Sequence, residues 1–111
     1  GLGIPAEPLF RSASTFNLKK QWFDKIKSGE KTHEYREVKP YWEKRLFEHY
    51  YIYGMKSCNE KEECEFVCGY ASKDEKDKRL KAKIKNISII NGKNTDLAID
   101  KDVYDIEFEL I

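Results

Sequence analysis

A chain of 111 residues has room for one small hydrophobic core and not for a second. Its 21 Lys and Arg against 20 Asp and Glu leave a formal charge of +1. That balance excludes a protein whose main task is to coat duplex nucleic acid or an anionic membrane, but not one with a local basic site. With 40% hydrophobic and 14% aromatic residues, the chain is too rich in large rings to be disordered and is expected to form one globular domain with a charged surface. The cysteines Cys58, Cys64 and Cys68 are odd in number and irregularly spaced. This is unlike the even framework of a small secreted scaffold, so free thiols, no metal, no disulfide-linked partner and a cytoplasmic setting are expected. No apolar run approaches the ~18 residues of a membrane span. The opening GLGIPAEPLF has neither the basic start nor the continuous apolar stretch of a secretory signal.

Residues 1–11, with Pro5 among them, read as an N-terminal arm, and 12–111 as the domain. Residues 12–15 lead through Phe16, Asn17 and Leu18 into a short strand. Leu18, Trp22 and Ile26 repeat at intervals of four with Phe23 beside them, while Lys19, Lys20, Asp24, Lys25 and Lys27 fill the other side. That is an amphipathic helix, and Gly29 sits where a left-handed C-terminal cap belongs. Residues 31–38 (KTHEYREV) alternate and carry the Thr, Tyr and Val of a strand. Pro40 ends it and opens a second helix to about Glu48, built on Trp42, Leu46 and Phe47.

HYYIYG (49–54) reads as a strand, 57–63 as a polar turn, 64–71 as another strand and KDEKDKR (73–79) as a solvated loop. Leu80, Ala82 and Ile84 then alternate on one parity and Ile87 and Ile89 on the other, the mark of a β-bulge that bends a strand and lets a sheet curl. Asn91 and Gly92 make a turn. The last strand, 103–110, sets Tyr104, Ile106, Phe108 and Leu110 against Asp105, Glu107 and Glu109. Two early helices with five or six short strands give an α+β domain whose bulged sheet is expected to close, or nearly close, into a small β-barrel.

One segment carries chemistry. GEKTHEYR puts a glycine turn, Lys31, Glu34 and Arg36 at a helix-to-strand junction. On a regular strand Glu34 and Arg36 share a face. Arg36 can hold a phosphate or carboxylate through two N–H groups, Glu34 can accept from a base edge or take a proton, and Lys31 adds a mobile charge from the turn. Taken on residues alone, the three also read as a surface ion-pair cluster. His33 falls on the opposite face and is expected to meet solvent, and His49 is an ordinary histidine near a helix end. Trp22, Phe23 and Trp42 are expected in the core, as is the pair Cys64 and Cys68, which share parity. Tyr35, Tyr41 and Tyr70 are candidate stacking rings for a base.

The run Gly29, Lys31, Glu34, Arg36 matches the G-x-K-x-x-E-x-R motif of the ASCH domain (activating signal cointegrator homology). The preceding LKKQWFDKIKSGEK resembles that family's helix. VKPYWEKRL resembles the segment after the motif in a phage and bacterial branch, and Phe66, Gly69 and Tyr70 resemble a later F-x-x-G-Y element. The resemblance spans residues 16–111. It implies a PUA-like β-barrel flanked by two or three helices, without a cofactor. A cleft at the motif, expected between the strand face and the Pro40 helix, would take single-stranded RNA or a modified nucleoside or nucleotide-like ligand, with Lys31, Glu34, Arg36, Tyr35, Tyr41 and Tyr70 as the binding residues. It also implies an alternative, because some relatives are hydrolases that cleave RNA or act on acylated cytidine. In the amidohydrolase branch a catalytic lysine corresponds to Lys31, but a catalytic threonine takes the position of Glu34, so that chemistry does not carry over. If the chain is an enzyme, Lys31 and Glu34 are its catalytic candidates. A non-catalytic protein-interaction domain is the third reading.

Overall fold

The computed structural model describes residues 14–47 and 63–111. The N-terminal arm, the expected strand at 49–54, Cys58, His49 and most of the expected polar turn lie outside the described residues. In chain order the elements are β1 (Ser14–Leu18), α1 (Lys20–Lys27), β2 (His33–Glu37), α2 (Pro40–Phe47), β3 (Glu63–Cys68), β4 (Arg79–Asn91) and β5 (Asp102–Leu110). The strands form a single mixed sheet in the order β1-β3-β4-β5-β2. β1 runs parallel to β3, and the other three pairs are antiparallel.

The break in parity along β4 is the bulge its sequence foretells. Ile84 pairs with Phe108 and Asn86 with Glu107, which leaves Lys85 as the extra residue. Ala82 and Ile84 before the bulge and Ile87 after it are all buried, so the inserted residue keeps one face apolar through the bend. Past Ile87 the strand leaves the core, and Ile89 is half exposed. The bent sheet curls into a half-barrel that turns its two edge strands toward each other. Across this seam Arg36 of β2 donates from Nη2 to the Asn17 carbonyl of β1 at 3.2 Å.

The half-barrel encloses one core. Phe66 of β3 lies at its centre, with ring centroids 5.5 Å from Phe16 and 4.5 Å from Phe108. Phe23 and Ile26 of α1 and Leu46 of α2 cover it, and Trp42 packs against its margin with its ring stacked on Phe16 at 5.1 Å. Leu18, the first residue of the expected helical repeat, is the last residue of β1 and is buried there. Cys64 is buried in the core and Cys68 half-buried beside it; both are free thiols. Burial is the main reason that the Cys64 thiol is pushed up, far from ionisation at neutral pH. No helix among the described residues is long and apolar enough to cross a membrane.

Two connections set up the site. After α1, Gly29 takes the left-handed conformation (φ +87°) and donates to the Ile26 carbonyl at 3.0 Å. The Lys31 N–H then turns back to the Lys25 carbonyl, also at 3.0 Å, which fixes the Lys31 backbone at the end of the helix. The other connection differs from the tight turn expected at Asn91 and Gly92. A 3-10 turn at Gly92–Asn94 opens a longer loop over 92–101, closed by Gly92 N–H to the Lys101 carbonyl at 2.8 Å. Gly92 is confined there: a Cβ would stand 2.6 Å from Val103 Cγ1 and 2.9 Å from the Ile99 carbonyl oxygen. The expected solvated loop 73–79 also ends in structure, because Arg79 begins β4 and pairs with Glu65.

Candidate functional site

On β2 the even positions face inward. Glu34 stands opposite Ile106 and Arg36 opposite Tyr104, both buried residues of β5. A carboxylate placed among such neighbours must be paired, and Glu34, only 6% exposed, is paired twice. Its Oε2 accepts Arg36 Nε–H at 3.0 Å with Nη2 in ion-pair contact at 2.8 Å, and its Oε1 forms an ion pair with Lys31 Nζ at 3.2 Å. The Arg36 guanidinium lies 5.1 Å from the Phe16 ring and 5.0 Å from the Trp42 ring, so its faces are packed on π-systems while its N–H groups reach Glu34 and Asn17. Lys31, Glu34 and Arg36 therefore converge, as the spacing of the motif requires.

Lys31 is the largest departure from expectation. It is not a mobile charge in a turn but is 9% exposed. Its ammonium lies 5.6 Å from the centroid of Trp22 and 5.0 Å from that of Tyr35, and it donates to Asp96 while forming an ion pair with Glu34. Asp96 comes from the 92–101 loop and was not legible as a site residue. Trp22, expected in the core, is only half-buried and turns its ring to this site.

The hollow in front of these groups is about 390 Å³, within the range of small-ligand sites. One wall is the end of β1 with Lys19 and Trp22, another is Glu34–Glu37 of β2, and the third is Asp96, Leu97 and Ile99 of the loop. The cleft is thus the seam of the half-barrel. The 92–101 loop closes it where the Pro40 helix was expected; α2 instead supplies Trp42 beneath Arg36. The loop is held in an unusual conformation, with Ala98 at φ +50°.

The remaining candidates separate. Tyr35 lines the cleft, and burial, then Asp105, Asp96 and Glu34, push its phenol above its ordinary value, so it stays a neutral donor at physiological pH. His33, on the opposite face from Glu34 as expected, keeps 37% of its side chain exposed and has Nδ1 2.6 Å from Asp105 Oδ1. Tyr41 is 53% exposed and lies under the Arg45 guanidinium at 3.8 Å. Tyr70 is 93% exposed. Neither is among the residues that line the cleft. Among the described residues no group of three or more His, Cys, Asp and Glu side chains is gathered as a metal site would need.

Chemically the arrangement is balanced. Glu34 is paired with Arg36, and Asp96 with Lys31 just outside the cleft lining, so the cleft offers paired donors and acceptors with little net charge. Such a lining suits a flat, neutral, polar ring better than a free phosphate, and Trp22 and Tyr35 supply π-faces beside it. Comparison with protein-family models, with curated proteins and with solved structures gives no match.

Proposed function

We propose that the chain is an ASCH-like domain of PUA-like type, its half-barrel corresponding to that barrel, and that the seam binds a nucleobase-bearing ligand: a modified nucleoside, or an unpaired nucleotide of single-stranded RNA. One observation carries the reading. Glu34 and Arg36 of the Lys31–Glu34–Arg36 chain, drawn from the G-x-K-x-x-E-x-R motif, line a cleft flanked by the rings of Trp22 and Tyr35, with Lys31 paired to Glu34 beside it. A purine or pyrimidine presents edge donors and acceptors to such a lining and a face to such rings. The bacterial or phage origin and the cytoplasmic setting belong to the same proposal.

Titration of the protein with nucleosides, nucleotides and short single-stranded RNAs, followed by tryptophan fluorescence, tests it, since Trp22 lines the cleft and Trp42 lies against Arg36. Binding is expected, with Arg36→Ala weakening it by about 1–3 kcal/mol. Unchanged binding of every probe by that variant removes the site.

A second reading, a small hydrolase of RNA or of acylated cytidine, draws on the ammonium–carboxylate pair of Lys31 and Glu34. In it Glu34 would take the proton of an attacking water and Lys31 would stabilise the oxyanion. Both Glu34 oxygens are already paired with cations, which puts this reading second. Glu34→Gln keeps the shape and removes the base. Hydrolysis present in the parent and lost in this variant, with binding retained, would make the enzyme reading the correct one.

A further inference from the structure

Beside the seam cleft lies a second hollow of about 300 Å³, lined by Lys25, Glu30, Lys31, Thr32 and His33 together with Trp22, Tyr35 and Asp96. The last three line the seam cleft as well. The wall between the two is therefore Trp22, Tyr35 and Asp96, and the Lys31 ammonium lies against it on the side of the second hollow, near both rings and paired with Asp96 and Glu34. Each hollow repeats the same provision: a share of two aromatic faces, and polar edges of its own. In the first these edges are Glu34 and Arg36; in the second they are Thr32 and His33, the imidazole oriented by Asp105 at 2.6 Å.

We infer that the ligand spans this shared wall: the site takes two consecutive units of a single-stranded nucleic acid, one base in each hollow, with the linking phosphodiester crossing at Asp96, where Lys31 can meet it. The inference rests on the nucleobase reading of the seam and narrows it from a free nucleoside to a dinucleotide step. It also gives Asp96 a part. Of the two carboxylates on Lys31, Glu34 is buried in the fold and locked by Arg36, whereas Asp96 is the more exposed and rides on the 92–101 loop. The Asp96 carboxylate occupies the place at Lys31 that a phosphodiester would take, and the incoming phosphate displaces it. The balanced charge at Lys31 then becomes a net cation at the one point where the ligand carries its anion. A nucleoside without a phosphate leaves Asp96 where it is.

Affinities of the full chain for the four ribonucleosides, their 5′-monophosphates and a set of ribodinucleoside monophosphates decide the matter. At least one dinucleoside monophosphate is expected to bind about tenfold more tightly than either nucleoside within it, the order of gain expected of one further stacked base. His33→Ala is expected to reduce that ratio toward one, and Asp96→Asn to raise it, because the asparagine no longer competes with the phosphate for Lys31. Glu65→Ala, on β3, is the control that leaves the ratio alone. If nucleosides bind and dinucleoside monophosphates bind no better, the two-unit inference is overturned and the single-base reading stands. If none of these probes binds the parent protein, the nucleobase reading itself falls. A raised dinucleotide affinity that is insensitive to both His33→Ala and Asp96→Asn would place the second unit elsewhere and also overturn the inference.

Discussion

Two arginine–carboxylate pairs stand on this sheet, and only one of them belongs to a cleft. Arg79 of β4 meets Glu65 of β3 as a closed fork, Nε to Oε2 at 3.0 Å and Nη2 to Oε1 at 2.9 Å, and its remaining nitrogen donates to the Ala71 carbonyl at 3.0 Å. Both carboxylate oxygens are engaged by one partner, and among the described residues the pair extends to no other charged side chain. Arg36 meets only one oxygen of Glu34, which leaves the other for Lys31, and Lys31 goes on to Asp96. The first pair ties two neighbouring strands; the second branches from β2 and its preceding turn to two segments distant in the chain, β1 through Asn17 and the 92–101 loop through Asp96. An ion pair becomes a candidate site when its geometry leaves connections open and its surroundings provide a hollow, not because it is ionic.

That contrast can be broken most directly at the carboxylates. Glu34→Ala leaves the Arg36 guanidinium without its carboxylate and Lys31 with Asp96 alone, and is expected to cost about 3–5 kcal/mol in urea unfolding, the order of cost of breaking a buried ion pair. Glu65→Ala is expected to cost a small fraction of that, and equal losses would erase the distinction. The next effect is on recognition. Arg36→Lys, which loses the planar fork stacked on Phe16 and Trp42, is expected to weaken ligand binding about tenfold, while Arg79→Lys leaves binding unchanged in the same fluorescence titration.

A smaller effect concerns pH. Tyr35 holds its proton more tightly in the folded state than in the unfolded chain. The stability it contributes is therefore complete below the ordinary tyrosine value near 10 and is lost as pH rises through the folded value. Tyr35→Phe should flatten this part of the alkaline limb of the stability profile, and Asp96→Asn should let Tyr35 ionise earlier in an ultraviolet titration. The smallest effect is in the loop. Ala98→Gly relieves a left-handed alanine and is expected to stabilise the chain by about 0.5 kcal/mol, the strain removed less the entropy that glycine brings.

The residues themselves explain how far a sequence reading could go. The bulge at Lys85, the cap at Gly29 and the alternation of β5 were legible because each is a local pattern in which period or left-handed φ leaves a direct trace. The convergence of Lys31, Glu34 and Arg36 was legible for the same reason, since three residues on one turn and one strand need no distant partner to be placed together. Asp96 was not, because it reaches Lys31 from 65 residues away, in a loop whose path depends on the close packing of Gly92 against Val103 and Ile99. Trp22 illustrates a different limit. A repeat of four says which face of a helix is apolar but not whether that face ends in a core or at the lip of a cleft. Tyr41 and Tyr70 were candidates on aromatic character and proximity in the chain, and the fold leaves both on the surface away from the cleft lining.

The parallel pairing of β1 with β3 has a consequence in time. The strands β3, β4 and β5 follow one another in the chain and pair as antiparallel neighbours, so their contacts close short loops. β1 must wait for a partner that lies beyond both helices and β2, and β2 must find β5 near the other end of the chain. Contacts of such long sequence separation are costly to close and form late. The β3–β4–β5 meander is thus the natural nucleus, and the two strands that make the seam are the last to arrive. What assembles last at the rim also opens first, so amide exchange in the native protein is expected to be faster along β1 and β2 than through the centre of β4. The ligand site then sits on the part of the molecule that can yield without unfolding the rest.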